Sequence, residues 1–224
     1  MFKTLYAILF FMEKEVREYF PEELKKRVAE LGIGEPLSGY IARSVEFHTF
    51  AAPGLLLGVF MVDYALELLG ASPGEKLYGA CETTKCAPDP LQVITHCTTG
   101  NHRLRVVPIG RFAITMNRPS EGPYTEGFRI YLDLGRVSRF PLLDAWFSND
   151  PSFDQFKMYK PLVDEILLAG RAPFSYERVR VRVSPKEKWQ SIICPVCGEP
   201  VPDNLVESGH CKGCGSLAYY EKIS

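Results

Sequence analysis

The chain has 224 residues, a formal net charge of −1 and 46% hydrophobic content. That length suits one sizeable core with a small appendage, or two modest domains. The near-neutral balance argues against a polyanion binder and against a disordered tail, so nucleic acid is not an expected partner.

The first twelve residues, Met1-Phe-Lys-Thr-Leu-Tyr-Ala-Ile-Leu-Phe-Phe-Met12, place a charge before an apolar run, like the front of a signal peptide. Glu13, Lys14 and Glu15 follow with no small-residue cleavage site, and the run is too short to span a bilayer. It reads as a buried N-terminal helix or strand, or as an extension upstream of a start at Met12. The seven cysteines are odd in number and four fall in metal-type pairs, which points to a reducing cytoplasm.

Residues 13 to 32 carry Val16, Tyr19, Phe20, Leu24, Val28 and Leu31 among charges, an amphipathic helix broken near Pro21. A polar link then leads to Phe47-His48-Thr-Phe-Ala-Ala-Pro53-Gly54. Leu55 to Leu69 is apolar on nearly every face and closes on Gly70, which predicts a central helix buried all round with its start at Pro53. His48 lies just before that N-terminus, either as a hydrogen-bonded structural residue or as a ligand.

Leu77 to Thr84 predicts a strand that delivers the chain to Cys86. In Cys86-Ala-Pro-Asp-Pro-Leu-Gln-Val-Ile-Thr-His-Cys97 a short helix begins. Asp89 is its expected cap, Pro90 its first residue, Gln92 the arm of a capping box and Gly100 the stop. Cys86 and Cys97 are either reactive groups or small buried hydrophobes. Helical spacing puts Val93 with Cys97 and Gln92 with His96. A helix from Pro90 to Cys97 is about 10 Å long, so one metal cannot take both cysteines unless the preceding loop folds back.

Leu104 to Val107 and Phe112 to Met116 read as strands, and Phe128, Ile130, Leu132 and Leu134 alternate as another. Phe153 to Ala169 reads as a helix with Pro161 as a kink or boundary. Val179, Val181 and Val183 alternate with Arg178, Arg180 and Arg182, giving a phosphate-binding strip or a solvated edge that discourages aggregation. Helices and strands mix without a βαβ rhythm. The fold class is therefore α+β, helices around a β-sheet core over residues 1–185, with a separate module over 186–224.

That module carries Cys194-Pro-Val-Cys197-Gly and Cys211-Lys-Gly-Cys214-Gly, with thirteen residues between Cys197 and Cys211. Two such knuckles complete a tetrahedral four-sulfur site, for zinc in a zinc-ribbon or treble-clef-like module, with a rubredoxin-type iron as the competitor. Four thiolates leave no position for water, so the site is read as structural. His210 adjoins Cys211 but is not needed as a ligand.

The pattern resembles the FmdE family, the E component of molybdenum formylmethanofuran dehydrogenase and its relatives in organisms that do not make methane. The resemblance runs from about Phe47 to Met116, and the zinc tail extends it. The family's first segment looks like Phe-His-Gly-His-x-Cys-Pro-Gly. Here His48, Pro53 and Gly54 match, while Phe50 replaces the second histidine and Ala52 the cysteine. The second segment, Glu82-Thr-Thr-Lys-Cys86-Ala-Pro-Asp89-Pro-Leu-Gln92-Val-Ile-Thr-His-Cys97-Thr98, follows the family closely, and Gly100, Asn101, Leu104, Gly110, Arg111 and Ala113 continue it. The resemblance implies a pocket that retains His48, with Cys86, Asp89, Gln92, His96 and Cys97 as further candidates, and a second metal near His48 and Cys86. Phe50 and Ala52 coordinate nothing, which favours a degenerate or altered site.

Three functions follow. The first is an accessory or stand-alone metalloprotein with dehydrogenase-type partner subunits. The second is a zinc-finger module that docks a protein or nucleic acid. The third is a homodimer whose tail packs on the neighbouring subunit.

Overall fold

The computed structural model describes residues 20–183, 188–221 and 223. The apolar run over the first twelve residues lies outside them. The chain divides into two compact units, Met1–Val183 and Ser184–Ser224.

The larger unit is built on helix α3. Helix α1 spans Phe20–Glu30, α2 Leu37–His48 and α3 Pro53–Leu69. Every residue of α3 from Pro53 to Val62 is buried, as its unbroken apolar run demands. Pro53 opens it, and Gly70 in the left-handed region closes it by donating its N–H to the carbonyls of Glu67 and Leu66. The polar link read from the sequence before Phe47 is instead α2. Gly34, Pro36 and Gly39 punctuate the stretch, but Tyr40, Ile41, Ser44 and Val45 form a buried stripe at helical spacing.

Strand β1 is Tyr78–Cys81, α4 Pro88–Thr95, β2 Leu104–Val106, β3 Ala113–Asn117 and β4 Tyr124–Leu132. Two short helices, α5 Leu134–Val137 and α6 Pro141–Phe147, precede α7 Gln155–Ala169 and β5 Phe174–Arg182. The five strands form one sheet in the order β2-β1-β3-β4-β5, parallel only between β1 and β2. Ile114 lies opposite Ile130 and Leu132 opposite Phe174, and these side chains are buried in the core that α3 shares with β3 and β4.

Leu134, expected to continue the strand, is 67% exposed. Asp133 ends β4 by accepting the Gly135 N–H at 2.9 Å, which starts α5. Pro161 lies inside α7 without ending it. Strand β5 is the sheet edge, and Arg178, Arg180 and Arg182 are exposed along it. Arg178 pairs with Glu126 at 2.5 Å and Arg180 lies 5.0 Å over the Tyr124 ring. Both arginines are thus engaged along the solvated edge.

Helix α4 crosses α3 closely at Gly58. A Cβ there would stand 3.1 Å from Pro90 Cγ and 3.2 Å from Ala87 Cα. Gly58→Val is therefore expected to overpack the crossing and cost about 1–3 kcal/mol, measured as a lowered midpoint in urea.

The smaller unit consists of two hairpins, Ser191–Ile193 with Pro200–Pro202 and Val206–Glu207 with His210–Cys211, followed by a 3₁₀ turn over Lys212–Cys214.

Candidate functional site

The tail cysteines converge. One sulfur from each of Cys194, Cys197, Cys211 and Cys214 lies within 4.8 Å of the others. The first knuckle turns back on Gly198, whose φ of +76° suits glycine and whose N–H bonds the Cys194 carbonyl at 2.9 Å. The backbone N–H groups of Cys197 and Cys211 draw the Cys194 pKa down to about 6, while the Cys211 sulfur and burial push that of Cys214 up to about 12. The Cys194 thiolate is thus favoured without a cation, and that of Cys214 needs one. A tetrahedral ion with metal–sulfur bonds of about 2.3 Å separates its sulfurs by about 3.8 Å. The Cys197–Cys211 sulfur distance is 3.9 Å, so the donor set fits a metal such as zinc. His210 does not join the cluster; its Nδ1 lies 3.2 Å from the Ser208 carbonyl.

The second site is in the core, where α2 ends against α4. His48 is the last residue of α2, and its Nδ1 lies 2.7 Å from Asp89 Oδ2. Gln92, one turn along α4, donates Nε2–H to Asp89 Oδ1 at 3.5 Å. Both partners of the His48–Asp89 pair are largely covered, with side chains 16% and 25% exposed. With Nδ1 turned to the carboxylate, the free function of the imidazole is Nε2, available as a base or ligand.

Asp89 does this because it is not the helix cap. Helix α4 begins one proline earlier than the sequence suggests, at Pro88, with Ala87 at the cap and no side-chain cap bond. Two prolines in the first turn remove donors that a cap would satisfy, which leaves the Asp89 carboxylate for His48. Helix α4 also stops before Gly100. His96 takes the left-handed conformation, its N–H bonds the Gln92 carbonyl at 3.1 Å, and its own carbonyl accepts from Asn101 and Arg103 at 2.7 Å each.

Cys86 closes on the first turn of α3. A Cβ on Gly54 would stand 3.3 Å from Cys86 Cβ and 3.5 Å from its Sγ, so any side chain there would press on Cys86. Burial raises the Cys86 thiol pKa and the Asp89 charge adds to it, while Lys85 opposes. Cys86 is therefore held as a thiol, not as an activated nucleophile. Behind it Tyr159 of α7 donates its hydroxyl to the Ala51 carbonyl at 2.7 Å.

The sequence candidates thus separate. His48, Asp89 and Gln92 form one hydrogen-bonded chain, and the partner that His48 finds is Asp89. Cys97 is fully buried and donates its S–H to the Leu77 carbonyl at 3.2 Å, while the His96 side chain is exposed. Both stand apart from the chain centred on His48. Phe50 and Ala52, at the replaced family positions, are apolar wall: the Phe50 ring lies 4.9 Å from the His48 ring and Ala52 is buried. Among the described residues, the tail cysteines are the one group of three or more ligand atoms close enough to hold a metal.

A further network was not read from the sequence. Glu82, the residue after β1, takes a two-pronged contact from Arg129, with Nε 2.7 Å from Oε1 and Nη2 3.1 Å from Oε2, and Arg111 Nε reaches Oε2 at 2.6 Å. The matched Glu82 and Arg111 positions carried the signal, but Arg129 on β4 comes from a distant stretch and only the sheet register brings it there.

Fold and sites together define an α+β core protein with a histidine–carboxylate pair and a four-cysteine metal-binding tail. Residues 47–172, more than half of the chain, match the family model described as "FmdE, Molybdenum formylmethanofuran dehydrogenase operon", and the chain belongs to that family. It is 32% identical to a tungsten formylmethanofuran dehydrogenase FmdE-like protein from Syntrophus aciditrophicus, with a TM-score of 0.66, covering 82% of this chain and 95% of that one. It is also 28% identical over 203 residues to a probable S-adenosyl-L-methionine-binding protein of Archaeoglobus fulgidus, covering 82% of this chain. The chain spans 54% of that relative's length. Among the described residues no helix is long and apolar enough to cross a membrane.

Proposed function

We propose that this chain is an accessory or stand-alone metalloprotein of the FmdE class, with structural zinc in the tail and a small-molecule or metal pocket at His48 in the core. The observation that carries the core reading is the 2.7 Å contact between His48 Nδ1 and Asp89 Oδ2, backed by Gln92. It leaves Nε2 to meet a ligand, with Cys86 as a neutral thiol on the neighbouring wall. A second copy of the chain and dehydrogenase-type subunits are the proposed partners, in a reducing cytoplasm.

The test uses a Cys194→Ser variant, which removes the tail's competing site. Zn²⁺ or Co²⁺ added to it is expected to shift the ¹⁵N resonances of the His48 ring, and His48→Gln abolishes that response. Asp89→Asn is expected to weaken the binding about 10–100-fold, the usual effect of losing the partner of a ligating imidazole. If neither ion moves the His48 signals, the metal version falls. If a screen of formylated and other small carbonyl compounds leaves them unmoved as well, the pocket is vestigial.

The alternative is a docking module. It is supported by the apolar side chains the tail leaves in water: Trp189, Ile193, Val196, Leu217 and Tyr219 are all more than half exposed. Such a surface favours a protein partner over a nucleic acid. Binding to DNA or RNA that weakens steeply with salt is the result that reverses this preference.

A further inference from the structure

A cavity of about 470 Å³ lies in the core unit away from His48, between α3, α5 and the start of β5. Its volume is that of an ordinary small-molecule site. Two tyrosines make its corner. Tyr64 of α3 and Tyr176 of β5 meet edge to face, with centroids 5.6 Å apart and planes at 81°. Phe128 makes a second edge contact with Tyr176 at 6.1 Å, and buried Phe174 also lines the cavity. Both contacts pack Tyr176 into the corner, although it remains 48% exposed and offers part of its ring to a visitor.

The two arginines on the lining differ. Arg171 is spent on structure: its Nε and Nη2 hold Asp63 at 2.9 and 2.5 Å, its Nη1 holds Glu67 at 2.5 Å, and its guanidinium lies 5.1 Å over the Tyr64 ring. Arg136 is half exposed, and its Nε lies 3.8 Å from Asp133 Oδ2, beyond hydrogen-bond reach. That carboxylate is already engaged, with Oδ2 taken by the Ser175 hydroxyl at 2.6 Å and Oδ1 by the Gly135 N–H. Arg136 thus keeps a donor fork at the mouth of an aromatic corner.

Charge selects the ligand. The two guanidiniums face three carboxylates, Asp63, Glu67 and Asp133, so the surroundings do not favour an anion. An uncharged flat ring with two adjacent acceptors suits both features, because a guanidinium fork matches a ring carbonyl beside a ring nitrogen, as on the O6/N7 edge of an oxopurine. We infer that this cavity is a binding site for an uncharged oxopurine nucleoside, its ring stacked at Tyr176 and its O6/N7 edge on Arg136. The inference is independent of the His48 pocket.

The test is calorimetric titration of the full chain with inosine, adenosine and inosine 5′-monophosphate. Inosine is expected to bind saturably, adenosine more weakly because its N6 amine presents a donor to the fork, and the monophosphate no more tightly than inosine. Tyr176→Ala is expected to weaken inosine about tenfold through lost stacking. Arg136→Gln weakens inosine and turns the preference toward adenosine, because a glutamine amide matches the N6/N7 edge of adenine, and both residues are exposed enough to be replaced without unfolding. His48→Gln leaves inosine binding intact. No saturable heat at millimolar inosine, tighter binding of the monophosphate, or affinities indifferent to both cavity variants overturns the proposal.

Discussion

Replacing Cys194 by serine, or removing the metal with a chelator, is expected to melt the tail and leave the core folded. Among the described residues after 187, the buried ones are Cys194 and Cys211. A module whose interior is sulfur has little apolar burial to set against the entropy of ordering its backbone. A structural zinc supplies about 10–16 kcal/mol of apparent binding energy, enough to decide folding by itself. Hydrogen exchange over 190–217 is expected to become fast in the variant and in chelator, while exchange in α3 and β3 stays slow. The native protein is expected to release one zinc per chain more than Cys194→Ser does. Slow exchange in the tail after complete metal removal is the outcome that defeats this account.

Arg129→Met is expected to cost the core about 3–5 kcal/mol, because it strips the main counter-charge from a carboxylate held near the sheet. The Glu82 side chain is 11% exposed and that of Arg129 17%. Arg111 remains, but it is 64% exposed and holds Glu82 through one contact of its own. The double variant Glu82→Gln with Arg129→Met is expected to lose less than the sum of the two single changes, since no bare charge is then left behind.

The pH dependence has a definite sign. The Arg129 contact, aided by Arg111 against the opposing effect of burial, holds the Glu82 pKa below the usual carboxylate value. The stabilisation is complete above the unfolded glutamate pKa of about 4.3, and it is lost as pH falls from there through the lower folded value. Urea midpoints of the native core are therefore expected to decline on acidification below that point, and Glu82→Gln is expected to decline less. An equal acid decline in both proteins removes Glu82 from the explanation.

The elements that the sequence made legible are those with a strong local pattern. The apolar run from Leu55 to Leu69 with Pro53 and Gly70 at its ends yields α3, and the two Cys-x-x-Cys-Gly knuckles specify the tail cluster, because backbone geometry over four residues is enough to aim two sulfurs. The alternation through Phe128, Ile130 and Leu132 marks β4. Local chemistry misled where two signals competed. Asp89 before a proline has the form of a cap, Gly100 has the form of a stop, and the glycines and proline around residues 34–39 hid the buried stripe of α2.

What the sequence by itself determined is the family, from residue types at fixed spacing around Phe47–Gly54 and Glu82–Thr98, together with the α+β class and the four-sulfur site. Tertiary structure alone decided which chemistry-bearing side chains meet. His48 and Asp89 are 41 positions apart in the chain and come together because α2 and α4 pack on α3, with Gly58 admitting the close crossing. Arg129 reaches Glu82 from 47 positions away across the sheet. Pairings at such separations depend on helix crossing and strand register, which no local spacing encodes.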